Sequence, residues 1–260
     1  MKHADRISAL RTQHAAVSTL CSTISDDQWH APSNATGWST GDVIAHMSST
    51  CRLLLTADAL RAMTTGSIER LNDRFVESRR AWGREQVAAE FAAWGGRCIT
   101  LLDAVGRTPA GAIRVPVGDI GQFPVSKFPS MLTFDWHTHL AYDIAKALGR
   151  PSIPLSTLDL SVVVEWMMAV LAQSGVAAAF VPGPIVLRLT GVMEDEWLLQ
   201  ARKNKVRITP GSGECVATIE GRAVDFPSWG TTRTSWRDHD LQISGDNAAA
   251  IRLLDSINII

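Results

Sequence analysis

The 260 residues are 46% apolar and 20% charged, with 25 Lys and Arg against 26 Asp and Glu, which fits a globular chain with a sizeable core and excludes a disordered polyelectrolyte. A net charge of -1, with no Lys/Arg block interleaved with aromatics, offers no surface for nucleic acid. The most apolar run, Leu160 to Ala179, is interrupted by Glu165 and Gln173, so it reads as a buried helix and not as a membrane span.

Met1 to Asp5 run straight into an amphipathic helix without the apolar segment of a signal peptide. Cys21, Cys51, Cys98 and Cys215 stand far apart with no CxxC, three of them among helical apolar residues, and buried free thiols in a reducing cytoplasm are expected. Arg6 to Ile24 carries Ile7, Leu10, His14, Val17, Leu20 and Cys21 at spacings of three and four, the stripe of an amphipathic helix. Asp26 to Trp29 and Pro32-Ser33 read as a loop. Ser39 or Thr40 then caps a second helix, with Asp42 in its first turn where negative charge suits the dipole. That helix runs through Val43-Ile44-Ala45-His46-Met47 toward Leu60. A third fits Arg84 to Val105, and the prolines and glycines from Pro109 to Pro124 mark an extended connection. The fourth starts near Pro129-Ser130, contains Phe134-Asp135-Trp136-His137-Thr138-His139, and stops at Gly149-Arg150-Pro151. Four helices with a long crossover predict a bundle over 1–152.

From 153 to 260 the pattern is α+β. Leu158 to Val176 reads as helical. Strands are expected at 184–190, 196–200, 206–208, 215–219 and 241–243, a short helix at 223–229, and a last helix at 247–255 after Gly245-Asp246. The strands read as mostly antiparallel.

The chemistry concentrates on the second and fourth helices. Four residues of helix are about 400° of rotation and about 6 Å of rise, so Asp135 and His139 point the same way. With His46 from the other helix they make a three-ligand site for a divalent metal, leaving a fourth position for water or substrate. His137, about 200° from Asp135, faces away and reads as a surface or interface residue. Asp143, four further on, either orients His139 or is a surface charge beside Lys146. Asp42 likewise either supports His46 or caps its helix. Trp38 and Trp136 are candidates for the site walls or for ordinary core. Cys51, roughly 140° around the helix from His46, faces elsewhere, so an external thiol suits the site better than an internal one.

These segments resemble the mycothiol-dependent maleylpyruvate isomerase family within the DinB-like metalloenzyme superfamily. The resemblance is carried by Asp26-Asp27-Gln28-Trp29, by Gly37 to His46, by the aspartate–histidine segment, and by Asp143 to Gly149. Thr232-Arg233, Ile243 to Asp246 and Leu253-Leu254 are similar to that family's sterol-carrier-like second domain. The resemblance implies a DinB-like four-helix bundle followed by a smaller sterol-carrier-like α+β domain. It implies a divalent metal, usually zinc, on His46, Asp135 and His139, and mycothiol as cosubstrate in isomerisation or S-transfer on a small electrophilic substrate. Asp135 stands where these isomerases often have glutamate, one methylene longer, so the metal is expected nearer the fourth helix. Arg233, with its bidentate fork, is the candidate contact for a substrate carboxylate, or else a surface ion-pair residue. Two other readings use the same residues: a small-molecule or lipid-like carrier with a structural metal, and a metal-dependent hydrolase.

Overall fold

The computed structural model describes residues 1–151, 154–175 and 183–259. The chain divides into two compact units, Met1–Pro154 and Leu155–Ile260. The boundary expected at 152/153 falls on residues outside the described set.

The first unit is helical: α1 (His3–Thr23), α2 (Asp26–His30), α3 (Thr40–Leu54), α4 (Ala59–Thr64), α5 (Ile68–Glu77), α6 (Arg84–Gly106) and α7 (Phe128–Thr138). The four long helices are α1, α3, α6 and α7; α3 packs on α6, and α1 on α6 and α7. Leu10 and Val17 of α1, Ile44 and Met47 of α3, Phe91 of α6 and Leu132 and Trp136 of α7 are fully or almost fully buried.

Three differences from the sequence reading have local causes. The expected loop at Asp26 to Trp29 is the short helix α2, because Ser25 accepts from the Gln28 N–H and the Gln28 side chain accepts from the Ser25 N–H, a reciprocal cap. The second long helix ends at Leu54 and does not reach Leu60; α4 and α5 follow it, packing Ala62 and Leu71, with Ile68 and Phe75, against Leu53. The extended connection holds a small antiparallel pair, β1 (Arg114–Val117) and β2 (Gly121–Pro124). Asp119 in its turn accepts from the Ile68 N–H, fixing the start of α5.

The entry to α3 is tightly packed. A Cβ added at Gly41 would lie 2.5 Å from Cε2 of the buried Trp29 indole. A rigid ring offers no flexible end to move aside, so Gly41→Ala is expected to cost ~1–3 kcal/mol, read as a lowered Tm.

The second unit opens on α8 (Thr157–Leu171), buried on nearly every side. The expected helical stretch past Gly175 lies outside the described residues. A five-stranded sheet follows in the order β5-β4-β3-β6-β7, with β3 (Ile185–Thr190), β4 (Asp195–Arg202), β5 (Lys205–Pro210), β6 (Ala217–Arg222) and β7 (Gln242–Gly245). Among the described strands only the β3–β6 pair is parallel. Ile185, Leu187 and Leu189 of the central strand are buried with Leu199 and Ile219. A final helix, Asn247–Ser256, is capped by Asp246. A helical first unit and a mixed sheet unit after it are the fold class expected from sequence. No helix among the described residues is long and apolar enough to cross a membrane.

Candidate metal centre

α3 carries His46 near its middle. Ser39 caps the helix by accepting from the Asp42 N–H at 3.1 Å, while Asp42 accepts from the Ser39 N–H at 3.0 Å. Asp42 is thus engaged in capping. Facing α3, α7 carries Asp135 and passes directly into a π-helical turn, His139–Ala145. π turns interrupt α-helices mostly where a site must be shaped. Here the turn holds His139 and Asp143 on one side. Its carbonyls at Tyr142 and Asp143 accept from the side chain and the backbone N–H of Asn34, at 2.8 and 2.9 Å. Those bonds dock the 31–38 loop on the turn, and Trp38 of that loop sits with its ring centre 5.2 Å from His46 and 6.3 Å from His139.

The three expected donors meet. Asp135 Oδ1 lies 3.2 Å from His46 Nε2 and 3.6 Å from His139 Nε2, and one donor atom from each residue falls within 4.8 Å of the others. Donors bound to one zinc at tetrahedral angles stand roughly 3.2–3.6 Å apart, and both distances from Asp135 Oδ1 fall in that range. Two imidazoles and a carboxylate also suit zinc chemically. His139 Nδ1–H donates to Asp143 Oδ2 at 2.7 Å, which leaves Nε2 to present its lone pair to the centre. Asp143 is buried, so its carboxylate sits beneath His139 and is no surface charge. Asp143→Ala is expected to weaken metal binding by about 10–100-fold, measured by competition against a chelator.

The other expected site residues divide. Trp38 stands against the imidazoles, whereas Trp136 is core: fully buried, it meets the edge of Phe91 at 5.2 Å. His14 also belongs to the packing, stacked on Phe91 at 5.0 Å, and burial lowers its pKa. His137 is no surface residue. Since α7 is enclosed on most sides, His137 is buried against Tyr142, and desolvation takes its pKa down to about 4. Cys51 is buried, with Cys98 as its thiol neighbour, and burial pushes its thiol well above the usual range, making it a poor nucleophile. Cys21, expected to be buried, is partly buried, and that burial still pushes its thiol up to about 11. Arg233 lies in the second unit, half-buried, with its backbone N–H on the Ser228 carbonyl at 3.1 Å.

The family model of the mycothiol maleylpyruvate isomerase N-terminal domain matches residues 10–145, more than half of the chain and inclusive of all three donors. The chain belongs to this family. Among solved structures, the mycothiol-dependent maleylpyruvate isomerase matches with a TM-score of 0.60 at 14% identity, over 94% of this chain and 93% of that one. A histidine-to-alanine mutant of the isomerase matches with a TM-score of 0.57 at the same identity and coverage. At that identity the likeness is one of fold, and it spans both units of this maleylpyruvate isomerase family member. A UbiJ-SCP2 ubiquinone synthesis protein matches over 41% of the chain with a TM-score of 0.29, on which nothing rests. Comparison with curated proteins finds no match.

Proposed function

We propose that this protein is a zinc-dependent enzyme of the cytoplasm that uses mycothiol or a related thiol to isomerise, or transfer sulfur to, a small electrophilic substrate. The observation that carries the proposal is the convergence of His46, Asp135 and His139 on one point with ligand-like spacings. Family membership and the likeness to a mycothiol-dependent maleylpyruvate isomerase support the thiol and the isomerase type.

A divalent cation held by these residues supplies Lewis acidity, which lowers the pKa of a thiol from about 8.5 toward neutrality. The protein's own groups set the conditions for this. Asp143 fixes the His139 ring and its tautomer through a 2.7 Å bond. Asp135 contributes one negative charge beside the two imidazoles, and the Trp38 indole covers them on one side. In the isomerase reaction, thiolate sulfur adds to a cis alkene conjugated to a carbonyl. The former double bond rotates as a single bond, and elimination returns the thiolate with the trans product. Arg233, on the sterol-carrier-like second unit, is proposed as a carboxylate-binding residue through its bidentate fork.

Proton NMR of maleylpyruvate with the purified protein tests this reading. The expected result is cis-to-trans conversion that requires both thiol and metal, is abolished by a chelator, and returns with zinc. Conversion or hydrolysis that proceeds without thiol contradicts it. So does apolar-ligand binding by metal-free protein with no turnover under any condition.

A further inference from the structure

The two helical segments that supply the donors are also joined away from them, by the 31–38 loop. This loop runs into Ser39, the cap of α3, and it is closed on itself. The Ser33 N–H and hydroxyl both donate to the Trp38 carbonyl, at 3.1 and 2.8 Å. The Trp38 N–H donates to the Ala35 carbonyl at 3.0 Å, and the Thr40 N–H to the Ala31 carbonyl at 2.9 Å. Gly37 supplies the tight bend, with φ at 81° in the left-handed region that glycine adopts freely. So bonded, the loop and the first turn of α3 form one piece.

Asn34 fastens this piece to the other donor segment. Its side-chain amide donates to the Tyr142 carbonyl at 2.8 Å, and its backbone N–H to the Asp143 carbonyl at 2.9 Å. Both carbonyls belong to the π turn, a rare geometry. Asp143 is therefore held at both ends, its carbonyl on Asn34 and its carboxylate on His139 Nδ1 at 2.7 Å. A ligand set works only when outer hydrogen bonds keep it within about 0.5 Å of its working geometry. Here the contact runs from α3 through the loop and Asn34 to Asp143, and from Asp143 to the imidazole. Asn34 is itself exposed. A substitution there empties no core and would ordinarily leave stability nearly unchanged.

We infer that Asn34 is a positioning residue for the three-donor centre. Through the Tyr142 and Asp143 carbonyls it holds the π turn so that the Asp143 carboxylate keeps the His139 ring aimed at Asp135 and His46. The inference rests on the metal reading above for what the donors hold, but the hold on His139 itself requires no metal.

The test compares zinc affinity, by chelator competition, in the full chain and its variants. Asn34→Ala deletes the amide donor, and Asn34→Asp sets an acceptor against the Tyr142 carbonyl. Each should weaken zinc binding about three- to tenfold, the worth of one hydrogen bond. In an Asp143→Ala background, Asn34→Ala should add nothing, because the path to His139 runs through that carboxylate. In metal-free protein, nitrogen–proton NMR should show the His139 Nδ1–H proton, assigned by its loss in His139→Ala. Asn34→Ala should speed the exchange of that proton with water by a similar factor, since the turn opens more readily. Unchanged zinc affinity in both variants, equal losses with and without Asp143, or unchanged proton exchange would overturn the inference. A wild type that binds no zinc contradicts the metal reading instead, and the proton exchange then decides the inference alone.

Discussion

Alanine at His46 or at His139 is expected to reduce bound zinc from about one equivalent per chain to a small fraction of that, because a three-donor site that loses one donor no longer holds the ion. The loss should be read by metal analysis of protein purified without chelator. A thermal shift gives a second reading that does not depend on purification history. A ligand that binds only the folded state stabilises it by about 4 kcal/mol at a thousandfold excess over its Kd. Added zinc should therefore raise the Tm of the wild type and leave that of both variants unchanged. His139→Ala is the cleaner variant, since His46 is the more deeply buried of the two. Circular dichroism at 20 °C, about ambient temperature, should show that the helices persist, because the core of α1, α3, α6 and α7 is apolar and independent of the ion.

The second large effect is on stability and lies one layer behind the site. Glu90 on α6 accepts from Arg79 at 2.6 and 2.7 Å and from Ser48 on α3 at 2.8 Å, and both Arg79 and Glu90 are buried. Ser48 follows His46 by two residues, so this bond fastens the histidine's helix to α6. Glu90→Leu leaves the Arg79 guanidinium buried without its carboxylate, a loss of about 3–5 kcal/mol. At about 2–4 °C per kcal/mol for a chain of this size, Tm should fall by roughly 6–20 °C. Arg79→Leu combined with Glu90→Leu should recover much of the loss, since no charge then remains buried. Burial raises the Glu90 pKa, but the hydrogen bonds from Arg79 and Ser48 and the Arg79 charge outweigh it, holding the carboxyl below its ordinary value. Its contribution is therefore present above the unfolded-state pKa of about 4.3 and is lost as pH falls through the lower folded value. The Tm gap between wild type and Glu90→Leu should narrow in that acid range.

The candidate donors are legible in the sequence because helical geometry alone puts Asp135 and His139 on one face, whereas the seat of Asp143 beneath His139 shows only in its burial. The partner histidine was legible as an imidazole in the apolar run Val43 to Met47. The long helices were legible from their stripes and caps. What escaped is instructive. The spacing of Ile68, Leu71 and Phe75 is helical, yet α5 has several charged residues and its few apolar ones only gain meaning once α3 offers Leu53 as a neighbour. The π turn carries no composition signal, so the docking of Asn34 on it, and the resulting seat of Trp38, could not be foreseen. His137 shows the opposite error. Its angle around the helix was right, but facing away from the donors does not mean facing water when the helix is packed on most sides.

The proposed function requires two imidazoles and one carboxylate to hold a divalent ion with a position left for thiol sulfur. X-ray absorption at the zinc edge, recorded on the zinc-loaded protein before and after addition of mycothiol, addresses it most directly. The expected spectrum before addition has only nitrogen and oxygen neighbours at about 2.0–2.2 Å, with imidazole outer-shell scattering. Addition of thiol should introduce one sulfur at about 2.3 Å. Sulfur neighbours in the thiol-free protein, or no sulfur at saturating thiol, would contradict the account.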